Sequence, residues 1–80
     1  MKSIGELIKQ YRETAGISQV VLAKKLGVEF GQFISHIEHG KAPFPKDKFK
    51  LLSKTLEIPP DILFQAWIAE KKQEFWDVFI

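Results

Sequence analysis

Apolar residues recur at helical spacing along most of the chain, and turn-forming residues cut that pattern into five segments. Ile4, Leu7, Ile8, Tyr11 and Ala15 line one stripe of a helix over residues 3–15. Ser3 is placed to cap this helix, and Glu6 lies three residues on, where a capping box needs it. Gly16 ends the segment, and Ser18 caps a second helix, 19–26, in which Leu22, Ala23 and Leu26 share a face and Gly27 is the stop. A third helix starts at Gly31 or Gln32 and ends at Glu38, anchored by Phe33, Ile34 and Ile37, with Gly40 behind it free to take a positive φ. Ala23 supplies the small side chain that lets two short helices cross steeply and closely. Pro43 and Pro45 stiffen the loop 41–46 and keep its neighbouring helices from running through. A fourth helix, 46–56, then buries Phe49, Leu52, Ser53 and Leu56, and Ile58 closes the corner. Pro60 suits the first position of a fifth helix and Asp61 its first turn.

The fifth segment is longer than the domain needs. Ile62, Leu63, Phe64, Trp67 and Ile68 already provide the apolar surface of a terminal helix, yet a polar bridge, 70–74, and an aromatic end with Phe75, Trp76, Val78, Phe79 and Ile80 follow. The expected division is a domain of residues 1–63 and a helical extension of residues 64–80. Ile68, Phe75 and Phe79 fall near one helical face, which Trp67 and Val78 widen. Such a patch marks an interaction site. Trp67, Ile68, Phe75, Trp76 and Phe79 are therefore the residues expected to dimerise the protein. The competing arrangement folds the tail onto the groove between the first and fifth helices.

Eighty residues make one domain with a marginal core, a size at which self-association or a partner often adds stability. The absence of cysteine excludes a disulfide scaffold and thiolate metal sites. The start MKSIGELIKQYR alternates polar and apolar residues instead of forming a signal peptide, and no stretch reads as a membrane span, so a cytoplasmic location is expected. Net charge is only +2, but it is unevenly spread. Residues 1–54 carry ten basic against five acidic residues, and residues 55–80 two against five, so the tail should face away from a polyanion. No repeat or low-complexity stretch is visible. Gly27 and Gly31 read as helix punctuators, not as a phosphate-binding loop. His36 and His39 could share a face, but Glu38 points elsewhere and no third histidine completes a hydrolytic zinc site. Serine hydrolysis would need a strained nucleophile turn and an oriented base, which the chain does not suggest. No enzyme, metal or cofactor is expected.

Ser18-Gln19, Leu22-Ala23, Leu26-Gly27-Val28, Ile34-Ser35, Ile37-Glu38 and Gly40 together resemble the lambda-repressor-like (Cro/C1-type, XRE) helix-turn-helix family, loosely from about Ile4 to Leu63. Five residues separate Val28 from Ile34 where the family usually has four, as in a subgroup with a longer turn and a Gly-Gln-Phe-Ile-Ser opening to its recognition helix. The resemblance implies an all-α, compact five-helix DNA-binding domain with an extended C-terminal helical tail and a helix-turn-helix over residues 18–39. It further implies a dimeric transcriptional repressor on a palindromic duplex operator. The matching positions are Gln32, Ser35 and His36 for base contacts, and Gln19 and Lys41 for the DNA backbone, with His39 and Lys46 as further backbone candidates. Glutamine can pair bidentately with adenine, whereas no arginine, the commonest partner of guanine, stands on this face. Arg12 is matched with Glu38 as a clamp between the first and third helices. A second reading is an antitoxin-type or phage-type regulator whose tail covers a small protein partner such as a toxin.

Overall fold

The computed structural model describes residues 2–28 and 30–79. Five α-helices follow in order: α1 (Ile4–Thr14), α2 (Gln19–Leu26), α3 (Gly31–Glu38), α4 (Phe49–Leu56) and α5 (Pro60–Asp77). A 3-10 turn, Lys46–Lys48, leads into α4. Among the described residues there is no strand, and no helix is long and apolar enough to cross a membrane. The all-α architecture is the one the periodicity predicts. The fourth segment differs only in opening as 3-10 turn.

Local chemistry fixes the helix ends. The Glu6 N–H donates to Ser3 Oγ (3.1 Å) and the Ser3 N–H to Glu6 Oε1 (3.2 Å), which completes the capping box and holds the Glu6 carboxyl below its ordinary pKa. That contribution is present above the ordinary carboxylate range and is lost as pH falls through the lowered pKa. The Val21 N–H donates to Ser18 Oγ (3.1 Å) at the start of α2. Each of the first four helices has a positive-φ residue at its C-cap or one position beyond; three are glycines, and the fourth is Glu57 (φ 57°). Glu57 thus occupies a conformation that costs an ordinary side chain about 1–2 kcal/mol. The turn around it is secured by Ser53, whose Oγ donates to the Ile58 carbonyl (2.7 Å) and whose carbonyl accepts the Ile58 N–H (3.1 Å).

One core joins all five helices. Ile8, Leu22, Leu26, Ile34, Leu52 and Ile58 are fully buried, with Ile4, Leu7, Ile37, Phe44, Leu56 and Leu63 around them. α2 and α3 form the most extensive pairing, and α1 lies across α3. Two close approaches there require glycine. A Cβ on Gly5 would stand 2.2 Å from the Ile37 carbonyl oxygen, and one on Gly31 would stand 2.9 Å from Val20 Cγ2. Ala23 is buried between the helices as expected, but Gly31 is more than a punctuator: it is where α3 meets the backbone of α2.

α5 runs unbroken through residues 70–74, so the polar bridge is helix interior. The boundary expected between residues 63 and 64 lies inside this helix, whose Ala66 is buried and whose Trp67 packs on the core. The tail also holds its own domain: the Ile4 N–H, a free donor at the start of α1, gives a 2.9 Å bond to Glu70 Oε1. Beyond Glu70, Gln73, Glu74 and Asp77 still line a groove shared with Lys41 and Phe44, while Phe75, Trp76, Val78 and Phe79 are exposed. The aromatic end therefore does not lie in the groove between α1 and α5.

Candidate nucleic-acid interface

α3 is seated by Ile34 and Ile37, both buried. Helical geometry then turns Gln32 and His36 to solvent and leaves Ser35 half-buried beside them. Its N-terminus is open, because Phe30 at the capping position offers no side-chain acceptor and is itself 66% exposed. The far end is closed by bonds from the Gly40 N–H to the Ile37 carbonyl (3.1 Å) and from the Lys41 N–H to the His36 carbonyl (2.8 Å). These bonds place exposed Lys41 at a set position relative to the helix. His39 Nδ1 lies 2.8 Å from the Ser35 carbonyl oxygen. A carbonyl only accepts, so Nδ1 carries the proton and Nε2 is the nitrogen left for another partner.

A buried ionic junction holds α3 against the two preceding helices. Arg12 of α1 donates from Nε to Glu38 Oε2 (2.7 Å) and from Nη2 to Glu38 Oε1 (3.2 Å), while its Nη1 donates to the Ile17 carbonyl (3.0 Å). Gln19 of α2 donates from Nε2 to Glu38 Oε1 (2.9 Å). The side chains of Arg12 and Glu38 are 11% and 1% exposed. The hydrogen bond to Glu38 raises the Arg12 pKa further and burial works against it, so the guanidinium stays charged. No buried side-chain nitrogen or oxygen lacks a partner among the described residues. This two-toothed, fully satisfied geometry is the kind in which a buried pair fixes orientation.

The structure thus brings Arg12, Glu38 and Gln19 together, and presents Gln32, Ser35, His36, His39 and Lys41 along or just beyond α3. It puts Lys46 elsewhere, with Nζ 5.8 Å from the centre of the Trp67 ring on α5. A cation that does dock on the helix-turn-helix is Lys48, whose Nζ donates to the Leu26 carbonyl (3.0 Å) at the negative end of α2. Sequence reasoning missed Lys48, the bond from Gln19 to Glu38, the role of the Ile17 carbonyl and the exposed Phe30. The Lys48 and Gln19 bonds have no local pattern; each depends on where a distant element docks.

Residues 5–68 match a family model described as a helix-turn-helix domain. The chain belongs to the helix-turn-helix family. The match runs from α1 through α4 into the first half of α5 and is consistent with the Cro/C1 type that the residues of α2 and α3 resemble. This is a DNA-binding fold associated with the regulation of transcription. No match was found among curated proteins or among solved structures.

Proposed function

We propose that the protein binds duplex DNA sequence-specifically as a dimeric transcriptional repressor. The observation that carries this is a short helix with a polar outer face, Gln32, Ser35 and His36, held rigidly by the buried Arg12–Glu38–Gln19 junction. In this reading α3 enters the major groove, Gln32 pairs with adenine, and Ser35 and His36 reach neighbouring base edges. Lys41 and His39 Nε2 meet phosphates at the C-terminal end of α3. Gln19 has one amide N–H committed to Glu38 and a second for phosphate, so it couples the DNA backbone to the junction. Lys46 reaches the backbone only by leaving Trp67. The preponderance of cations in residues 1–54 and of acids in residues 55–80 orients the domain with α5 away from DNA.

Gln32→Ala should lower discrimination between cognate and random duplex by about 1–3 kcal/mol, whereas Lys41→Ala should weaken all duplexes alike and reduce the salt slope by about one. Binding selection over random duplexes supplies the cognate site. Equal losses on both DNAs for Gln32→Ala would remove it from the reading set.

Two half-sites one helical turn apart, about 34–36 Å, require a two-fold interface remote from α3. The exposed aromatic end of α5 supports such an interface, with Phe75, Trp76 and Phe79 packed ring on ring at 5.1–6.0 Å. In sedimentation equilibrium at micromolar concentration the chain should run at twice its monomer mass, and a version ending at Lys72 should run as a monomer with its helices intact. The same exposed rings favour the second reading, an antitoxin-type or phage-type regulator. Copurification with a small protein encoded beside it would select that reading.

A further inference from the structure

A concavity lies between α4 and α5, away from the reading helix. It is a groove of about 630 Å³, within the range of sites that bury whole side chains or ligands. Its walls are apolar and aromatic, with Phe49 from α4 and Phe64 and Trp67 from α5. Its rim is cationic: Lys46, Lys50 and Lys54 border it. Such a groove matches an acidic, aromatic segment. The chain contains one, Glu74-Phe75-Trp76-Asp77-Val78-Phe79, whose rings are exposed.

The groove cannot be filled by the tail of its own molecule. Trp67 and Phe75 stand on one continuous helix, about 12 Å apart along its axis, and α5 would have to break to bring them together. A second copy has no such constraint. Phe64, Ile68, Lys71, Phe75 and Val78 follow one another at spacings of four, three, four and three residues, the spacing of a seam between two helices. Antiparallel pairing of two α5 helices carries the aromatic end of each towards the Phe64 end of the other. We propose that the α4–α5 groove receives the acidic aromatic end of α5 from a second copy. Phe75 and Phe79 fill the groove, and Glu74 and Asp77 face Lys50 and Lys54. The exchange is reciprocal, so each dimer makes the contact twice. This inference rests on the dimeric reading above and assigns its contacts.

Charge reversal tests the pairing with two variants, K50E/K54E and E74K/D77K. All four positions are exposed, so both should keep the helical circular dichroism of the parent. In the first, an acidic groove meets an acidic tail; in the second, a basic groove meets a basic tail. Each should raise the dimer dissociation constant at least about tenfold in sedimentation equilibrium. Mixed one to one they should form a heterodimer at about the parental affinity, because one groove-to-tail contact is then the parental one and the other is restored with its charges exchanged. Variants that each dimerise as the parent does would overturn the groove assignment while leaving dimerisation standing. A mixture no tighter than its components would also overturn it. A parent chain that remains monomeric would remove the dimeric reading and this inference together.

Discussion

Gly5→Ala should destabilise the domain by about 3 kcal/mol or more, a large share of the roughly 4–12 kcal/mol available to a chain of this length. The added Cβ would lie 2.2 Å from the carbonyl oxygen of Ile37 and 2.9 Å from that of Glu38. Both obstacles are backbone atoms, so no side chain can rotate aside; α1 must withdraw from α3. The withdrawal also pulls Arg12 away from Glu38 and opens the core beneath Ile8. Thermal unfolding followed by circular dichroism should show a midpoint lowered on the order of 10–20 °C. Gly16→Ala is the control. Gly16 has a φ of 72° but nothing within 4 Å of a Cβ, so it carries only the left-handed backbone cost of about 1–2 kcal/mol. Equal shifts for the two variants would show that the close approach at Gly5 does not limit the packing of α1 on α3.

Gly5 also illustrates what a sequence can display. At the second position of a helix it reads as a mild flaw in propensity, and its purpose appears only when the carbonyls of Ile37 and Glu38 are placed against it. Features whose partners lie within a turn of each other were legible. Ser3 with Glu6, Ser18 before α2 and Gly27 after it each satisfy backbone groups a few residues away. The seat of α3 was legible as well, because Ile34 and Ile37 share a face whatever they pack on. Gln32 and His36 are outward-facing by the same geometry.

The tail was legible as a helical extension, whereas its unbroken continuity with the preceding turns of α5 shows only in the structure. Glu70-Lys-Lys-Gln-Glu74 looks like a bridge between two apolar patches, yet these are strong helix formers with no glycine or proline among them. The helix therefore continues through them. Glu70 acquires a role that no local pattern encodes, accepting from the Ile4 N–H across 66 positions of sequence. Gln19 is similar: its place at the head of α2 suggests phosphate, and the structure shows the same amide already engaged with Glu38.

Glu38→Ala should cost about 3–5 kcal/mol, the range for removing one member of a buried ion pair. The loss exceeds that of a surface pair because of what remains. Arg12, 11% exposed, keeps its charge with only the Ile17 carbonyl as a partner, and Gln19 Nε2 loses its acceptor. Arg12→Ala strands the carboxylate with Gln19 alone, at 1% exposure. Removing both takes away the uncompensated charge in either single variant, so the double variant should lose clearly less than the sum, with a coupling on the order of 1–3 kcal/mol in urea denaturation. Glu38→Gln separates shape from charge: the amide oxygen can accept one bond from Arg12, but its NH2 group faces the other guanidinium donors. It should fall between the parent and Glu38→Ala. If the junction orients α3, Glu38→Gln should also reduce discrimination between cognate and random duplex under conditions where the variant remains folded. Additive stability losses with unchanged discrimination would mean that the junction neither couples α1 to α3 nor positions the reading helix.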